Sequence, residues 1–276
     1  MLPLKDENPI GSTAVVTWVL ILVNIVVFVF LQGANNPQVV DPAEQSLRWA
    51  AIPCEVVTGE GLTAPEIALT LSGRTDTACD LDPDGPEAFP DKPVRLAVVT
   101  SMFMHAGWFH LGGNMLFLWI FGNNIEDRLG SLRFLVFYLL GGIAASIAHI
   151  AVEPDSTIPV VGASGAVAAV MGAYGVWFPN APIRTLIVLF LVDIRAKWWL
   201  GFWFLSQFFV GADSGVAWMA HVGGFAFGFL VGMWVRASHR SQRSVFAPHH
   251  QPRGPWDPTG GAGAGPYARP RRITRF

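Results

Sequence analysis

Residues 160–175 read VVGASGAVAAVMGAYG, a run of small and apolar side chains that is long enough for about four turns of α-helix. One serine, Ser164, interrupts the run near its start, between Ala163 and Gly165. A serine among small residues in a membrane helix usually serves close helix packing. A chemical role for Ser164 would therefore need other polar groups, brought to it from elsewhere in the chain.

The composition predicts that this run belongs to a membrane protein. Of the 276 residues, 52% are hydrophobic and 14% are charged, whereas a soluble domain carries about a quarter charged residues. The long apolar segments predict an all-α membrane protein, a bundle of six transmembrane helices. The six predicted spans are residues 13–31, 107–123, 132–152, 161–178, 196–210 and 216–235. The apolar segment 183–192 ends in a charged stretch, so we expect it to be interfacial or re-entrant.

The predicted spans divide the chain into five parts. They are a cytoplasmic N-terminal segment (1–12), the first transmembrane helix (13–31), a long extracytoplasmic loop (32–95), a core of helices two to six (96–236) and a disordered basic cytoplasmic tail (237–276). The loop is rich in Pro, Gly and acidic residues, and its helix candidates are short, around 42–50 and 64–72.

The positions of Lys and Arg predict the orientation in the membrane. With the N-terminus in the cytoplasm, the basic short loops fall inside, and the loops around 153–159 and 211–215, which carry no Lys or Arg, fall outside. The tail arginines then determine topology, and we expect no nucleic-acid partner. The first apolar run lacks a cleavage site, so we predict an uncleaved span. We expect a multi-pass protein of a bacterial plasma membrane with both termini in the cytoplasm.

The two cysteines, Cys54 and Cys79, both lie in the acidic first loop. If this loop faces an oxidising space, they could form a disulfide. The chain has no cysteine spacing typical of a zinc site.

Three polar residues, His110, Ser164 and His221, are predicted to lie near the outer ends of three different spans, with Asn114 about one turn deeper. His110 and Asn114 are four residues apart on one face of the second span, Ser164 opens the fourth, and His221 lies about one turn into the sixth. Such groups are expensive inside a membrane and call for a partner or a function. Because the loop charges alone fixed the depth of these residues, their agreement favours one shared site.

The four residues fit the chemistry of acyl transfer. A serine hydroxyl is a weak nucleophile until a base takes its proton, and His221 is the base candidate on the sixth span. His110, Asn114 and the Ser164 backbone N–H could donate hydrogen bonds to an oxyanion. Small residues on the fourth and sixth spans would let the two helices approach closely enough for a direct Ser164–His221 hydrogen bond. The glycines assigned to this packing are Gly165, Gly172, Gly224 and Gly228.

Three stretches carry a resemblance to the rhomboid family of intramembrane serine proteases. Residues 105–130 contain a His-x-x-x-Asn pair (His110 and Asn114) and a Glu-x-Arg-x-Gly turn, residues 162–165 read GASG, and residues 220–228 read AHVGGFAFG. The resemblance covers residues 94–235, about half of the chain, and in addition the first span. In this order, on the second, fourth and sixth spans, the three motifs are highly specific.

The resemblance implies a catalytic dyad without an aspartate. Ser164 would be the nucleophile and His221 the general base and then the general acid, while His110, Asn114 and the Ser164 amide would stabilise the oxyanion. The site would open to water on the outer side, and no metal or cofactor would be needed. The partners would be the lipid bilayer and substrates that are single-span membrane proteins, whose helices unwind locally. The oligomeric state stays open.

Two positions depart from the family pattern. Some members carry an aromatic residue four positions after the serine, stacked on the base, and here that position is Ala168. Some members have a Trp-Arg pair in the first loop, for which the nearest match here is Val94-Arg95. Another group must therefore hold His221.

The sequence disfavours several rival functions. A transporter or channel would place polar groups at mid-membrane within repeats, and no repeat is evident. A membrane metalloprotease needs His-Glu-x-x-His, which the chain lacks. An intramembrane aspartyl protease needs two deep aspartates, and Asp193 is the one candidate. The main alternative is a non-catalytic rhomboid-like protein that binds membrane clients.

Overall fold

A computed structural model describes residues 1–34, 41–73, 76–79, 81–82, 84–210 and 215–245. In chain order its α-helices are α1 (Val15–Val26), α2 (Pro42–Trp49), α3 (Pro53–Thr58), α4 (Ala64–Leu71), α5 (Val94–Thr100), α6 (Trp108–Phe117), α7 (Asn123–Leu129), α8 (Ser131–Ile150), α9 (Ser164–Trp177), α10 (Ala196–Ser206) and α11 (Trp218–Val245). A π-helical turn extends α1, and another joins α6 to α7 into one continuous helical stretch. The fold is mostly helical, as predicted.

Two helices are long and apolar enough to cross a membrane. Among the described residues these are Ser131–Ile150 and Trp218–Ser238, while Val15–Leu31, Val94–Phe103 and Ser164–Trp177 are shorter apolar helices. The count of six spans therefore stays a prediction. The last helix runs to Val245, past the predicted end at residue 235 and into the predicted disordered tail. The rest of that tail lies outside the described residues.

Helix α9 lies at the centre of the hydrophobic core. Nearly all of its residues after Ser164 are buried, and Tyr138 of α8 and Phe121 pack around it. A helix that is apolar on every face is expected to be enclosed on every face. Its small side chains are what allow the neighbouring helices to come close.

Glycines set the distance between α9 and α11. A Cβ built at Gly172 would collide with the backbone of Phe225, and one built at Gly228 would collide with the Ala169 carbonyl oxygen. Gly224 likewise faces the Gly165 carbonyl oxygen. Because no larger residue fits at these contacts, the glycines bring the two backbones together.

Glu126 ties α1 to the helical stretch that begins at Trp108. Its carboxylate accepts hydrogen bonds from the backbone N–H groups of Val16 (2.9 Å) and Thr17 (2.7 Å) and from the Thr17 hydroxyl (2.8 Å). These N–H groups belong to the first turn of α1, where no partner exists within the helix. Glu126 of the Glu-x-Arg-x-Gly turn therefore caps the N-terminus of α1, a helix from a distant part of the chain.

The chain also contains a three-stranded antiparallel sheet, which the all-α prediction missed. Strand β1 (Leu2–Asp6) pairs with β2 (Pro182–Ile187), and β2 pairs with β3 (Phe190–Arg195). The interfacial or re-entrant segment 183–192 is thus a β-hairpin, and the segment 1–12 supplies its third strand. The run LIVLFLV hides any alternation of polar and apolar residues, and the partner strand lies about 180 residues away.

The long first loop folds into a small lobe of its own. Helices α2 and α4 lie where they were predicted, whereas α3 and α5 were missed. The lobe has a separate core that includes Leu47, Ile52 and Leu62. Cys54 and Cys79 form a disulfide with a Cα–Cα distance of 6.1 Å.

A buried ion pair also lies in the lobe. Lys92 pairs with Glu55 and donates to the Leu47 carbonyl at 2.6 Å. Burial raises the pKa of the Glu55 carboxyl and lowers the pKa of the Lys92 ammonium, and each partner acts against the shift of the other.

Candidate active site

The four polar residues singled out in the sequence line one cavity of about 510 Å³. They are Ser164 from α9, His221 from α11, and His110 and Asn114 from α6. The walls also include apolar residues such as Phe117, Val167 and Trp203. The packing of α6, α9 and α11 therefore brings together side chains that are more than a hundred residues apart in sequence.

The backbone before Ser164 depends on Gly162. Its φ of 121° lies in a region that side-chain-bearing residues rarely adopt. A Cβ at this position would lie 2.8 Å from His110 Cε1 and 2.9 Å from His110 Nε2, and 3.6 Å from Ser164 Oγ. The imidazole of His110 and the Ser164 hydroxyl thus both lie close to a position that only glycine fits.

Helix geometry supplies hydrogen-bond donors at Ser164. Ser164 is the first residue of α9, and Ala163 before it has no side-chain cap. The first N–H groups of a helix have no partner within it, and the helix dipole places partial positive charge there. The N-terminus of α9 is therefore suited to stabilise a negative charge that develops beside the Ser164 hydroxyl.

His110 is oriented by the backbone of its own segment. Its Nδ1 accepts a hydrogen bond from the Ala106 N–H at 3.3 Å. In a neutral imidazole an accepting Nδ1 leaves the hydrogen on Nε2. The Nε2 side faces Gly162, next to Ser164. His110 can therefore donate a hydrogen bond into the cavity beside Ser164.

Asn114 is mostly buried, and its side-chain amide uses one hydrogen bond within its own helix. Its Nδ2 donates to the His110 carbonyl oxygen at 3.0 Å, one helical turn back. An amide nitrogen carries two hydrogens, so one donor remains for a group in the cavity.

His221 is held by two residues that sequence reasoning missed. Its Nδ1 lies 2.7 Å from Oε1 of Gln207, and its ring lies beside Trp203, with the ring centroids 5.9 Å apart. The position four residues after the serine, Ala168, is fully buried and has no aromatic ring. The available signal was the single amide in the aromatic stretch WFLSQFF, residues 203–209, since an amide in such a setting needs a partner.

The predicted direct hydrogen bond between Ser164 and His221 is not formed. Across the part of the chain that the structure describes, the hydrogen-bond partner of the His221 ring is the amide oxygen of Gln207. Both side chains face the same cavity. Catalytic hydrogen bonds are often long in the absence of substrate and tighten when it binds.

One carboxylate lies at the wall of this cavity. Glu153 and His149 both line it, with Oε2 of Glu153 3.9 Å from Nε2 of His149. The place of His149 in the cavity wall could not be predicted from the sequence, because this residue lies at the end of α8 and its depth depends on how that helix packs.

Comparison with known proteins agrees with this architecture. A family model described as "Rhomboid domain" matches residues 93–238. Over 158 residues the chain is 30% identical to Rhomboid protein 1, mitochondrial, of Saccharomyces cerevisiae. The matched region is 54% of this chain and 44% of that protein. It is 36% identical over 136 residues to Rhomboid protease GluP of Bacillus subtilis, covering 48% and 24% of the two chains.

A third relative, Rhomboid-related protein 2 of Mus musculus, is 35% identical over 147 residues, which is 50% of this chain and 47% of that one. The matched region thus spans less than half the length of each of these three relatives. Since the family model covers more than half of the chain, and its range contains all four cavity residues, the chain belongs to the rhomboid family.

Proposed function

We propose that this protein is an intramembrane serine endopeptidase that hydrolyses peptide bonds in or near transmembrane segments through a Ser164–His221 dyad. The supporting observation is the convergence of Ser164, His221, His110 and Asn114 on one cavity. A relative named as a protease, Rhomboid protease GluP, supports the same reaction class.

In the acylation step, the Ser164 Oγ attacks the carbonyl carbon of the scissile bond, and His221 takes the hydroxyl proton. The oxyanion accepts hydrogen bonds from His110, Asn114 and the Ser164 N–H. The C–N bond then breaks, and His221 passes its proton to the leaving amine. The products of this step are the released amine fragment and an ester at Ser164.

In the deacylation step, His221 takes a proton from water, and the resulting hydroxide attacks the ester carbonyl. Collapse of the second tetrahedral intermediate releases the carboxylic acid, and His221 returns its proton to Ser164 Oγ. Water must therefore reach the cavity. With both termini in the cytoplasm, the cavity would open to the outer side of the membrane.

The proposed substrates are single-span membrane proteins. The carbonyls of an intact helix are hydrogen-bonded within the helix, so a substrate has to unwind locally before Ser164 can attack it. Small or helix-breaking residues near the cleavage position would favour this unwinding.

Cleavage of a synthetic single-span substrate in liposomes tests the proposal. We expect wild-type protein to cleave it and Ser164→Ala and His221→Ala to lose activity, by about 10³-fold or more as for other serine hydrolases. Cleavage that survives His221→Ala would show that His221 is not the general base.

Labelling of Ser164 by a fluorophosphonate provides a readout that needs no substrate. Labelling of wild type but not of Ser164→Ala would support an activated serine. A folded wild-type protein that neither cleaves nor labels would favour the alternative, a non-catalytic rhomboid-like protein that binds membrane clients.

A further inference from the structure

Gln207 contacts the proposed base, His221, from a position that does not line the cavity. It is 6% exposed, follows the end of α10, and is not among the residues that line the cavity. Its Oε1 lies 2.7 Å from His221 Nδ1. The donor of this contact is either the Gln207 amide or the His221 ring, and the choice depends on which atom of the amide faces the imidazole.

Two neighbours determine the orientation of the Gln207 amide. Its Nε2 donates to the Trp203 carbonyl oxygen at 3.0 Å and to the Ser206 hydroxyl at 3.2 Å. A carbonyl oxygen can only accept, so the group that faces it must be the amide nitrogen. The Ser206 hydroxyl donates to the same Trp203 carbonyl at 2.6 Å, which leaves its own lone pairs to accept from Gln207.

The amide oxygen is therefore the atom that faces His221. An amide oxygen carries no hydrogen, so the hydrogen of the 2.7 Å contact must lie on Nδ1 of the imidazole. A neutral histidine with hydrogen on Nδ1 has its lone pair on Nε2. In this tautomer His221 keeps a free basic nitrogen for a proton from Ser164.

We propose that Gln207 is a positioning residue that holds His221 in the Nδ1–H tautomer, in which Nε2 is the base. The catalytic part of this inference rests on the proposed function; the tautomer itself does not. A carboxylate beside the aromatic side chains of α10 would carry a large desolvation penalty, so the carboxyl of a Gln207→Glu variant is expected to be protonated, with its hydroxyl donating to the Trp203 carbonyl and its other oxygen accepting from His221.

The tautomer can be read by solid-state ¹⁵N NMR of histidine-labelled protein in liposomes, with His221 assigned by the loss of its signals in His221→Asn. We expect the Nδ1–H tautomer in wild type and in Gln207→Glu, which keeps an accepting oxygen. In Gln207→Leu, which has no accepting oxygen, His221 should no longer be held in the Nδ1–H tautomer. A wild-type His221 with hydrogen on Nε2, or an unchanged spectrum in Gln207→Leu, would overturn the proposal.

Gln32→Leu is the matched control. Gln32 is also a buried glutamine, and it bonds both the N–H and the carbonyl of the His105 backbone, at 2.8 and 3.1 Å. Its loss should lower thermal stability to a similar degree as Gln207→Leu while the His221 tautomer stays the same. A tautomer change in Gln32→Leu as well would mean that general destabilisation, and not the Gln207 contact, moves the proton.

The kinetic consequence is measured on the same variants. Because Gln207 lies outside the cavity wall, Gln207→Leu should lower kcat and the fluorophosphonate labelling rate about 10-fold, a part of what a general base contributes, with KM unchanged. Gln207→Glu should recover most of this loss. A Gln207→Leu protein with the altered tautomer and full kcat would overturn the positioning role.

The proposed function fails separately from this inference. If wild type neither cleaves nor labels at Ser164, the protease assignment falls, and the NMR spectra still decide whether Gln207 sets the tautomer.

Discussion

At the scale of single residues, Gly162 is the position where one added atom should matter most. Its φ of 121° and the neighbouring His110 ring both exclude a Cβ. We expect Gly162→Ala to displace His110 from the oxyanion and to lower kcat about 100-fold, the effect of losing one such donor. Cleavage kinetics and fluorophosphonate labelling of the variant measure this loss.

Gly112→Ala is the control for this substitution. Gly112 lies on α6 close to His110, and a Cβ there meets no atom within 4 Å. Its activity should stay near that of wild type. Equal activity in Gly162→Ala and Gly112→Ala would show that the strained turn does not position the oxyanion donors.

At the scale of elements, the site depends on how closely α9 and α11 approach. A methyl group at Gly228 would collide with the Ala169 carbonyl oxygen and push the two helices apart. We expect Gly228→Ala to lower the unfolding free energy by about 1–3 kcal/mol, as overpacking does. Cleavage should fall as well, because His221 lies two turns before Gly228 on the same helix. Thermal unfolding and cleavage in the same detergent measure the two effects.

The matched comparison is Gly201→Ala on α10, where a Cβ meets no atom within 4 Å. This change should leave cleavage intact and stabilise its helix slightly, because alanine favours the helix over glycine. If Gly201→Ala were as damaging as Gly228→Ala, helix contact would not be the cause.

At the scale of the whole molecule, the lobe formed by the first loop is attached to the loop that precedes Ser164. Ala51 pairs with Val160 through a backbone N–H···O=C bond of 2.8 Å, and the Cys54 N–H donates to the Ser156 carbonyl at 3.0 Å. Ser101 bonds both sides, since it accepts from the N–H of Ala51 at its hydroxyl and from the N–H of Gly162 at its carbonyl. Loosening the lobe should therefore disturb the loop before Ser164 and lower the rate of cleavage.

Lys92→Met tests the coupling between the lobe and the site. It leaves the buried Glu55 carboxylate without its cation, and breaking such pairs lowers stability by about 3–5 kcal/mol. Burial already raises the Glu55 pKa, so the charged form is disfavoured in the fold. The destabilisation should therefore be largest above the raised Glu55 pKa and shrink as the pH falls through it and the carboxyl is protonated.

Thermal unfolding of Lys92→Met and wild type across pH 4–8 measures this, with cleavage followed at pH 7. Lys5→Met serves as the control, because Lys5 is exposed and its ion pair with Glu7 is a surface contact. A deficit in Lys92→Met that grows toward low pH would contradict the assignment of Glu55 as the stranded charge.

Much of the site could be predicted from local patterns. Apolar length located the helices, loop charges predicted a common depth for His110, Ser164 and His221, and glycine spacing indicated which helices approach closely. The helices α2 and α4 could be predicted because their starts carry side-chain caps, from Asp41 and from the Thr63–Glu66 capping box. These features depend on residues near one another in the chain.

The sequence by itself determined the membrane class, the family and the four polar residues of the cavity, because each is written in composition or in short motifs. Only the tertiary structure decided the three-stranded sheet, the attachment of the lobe to the loop before Ser164 and the contact between Gln207 and His221. Strand β1 pairs with a hairpin far along the chain, and the Gln207 amide meets an imidazole from another helix. Such pairings depend on which distant surfaces pack together, and no local pattern of side chains specifies them.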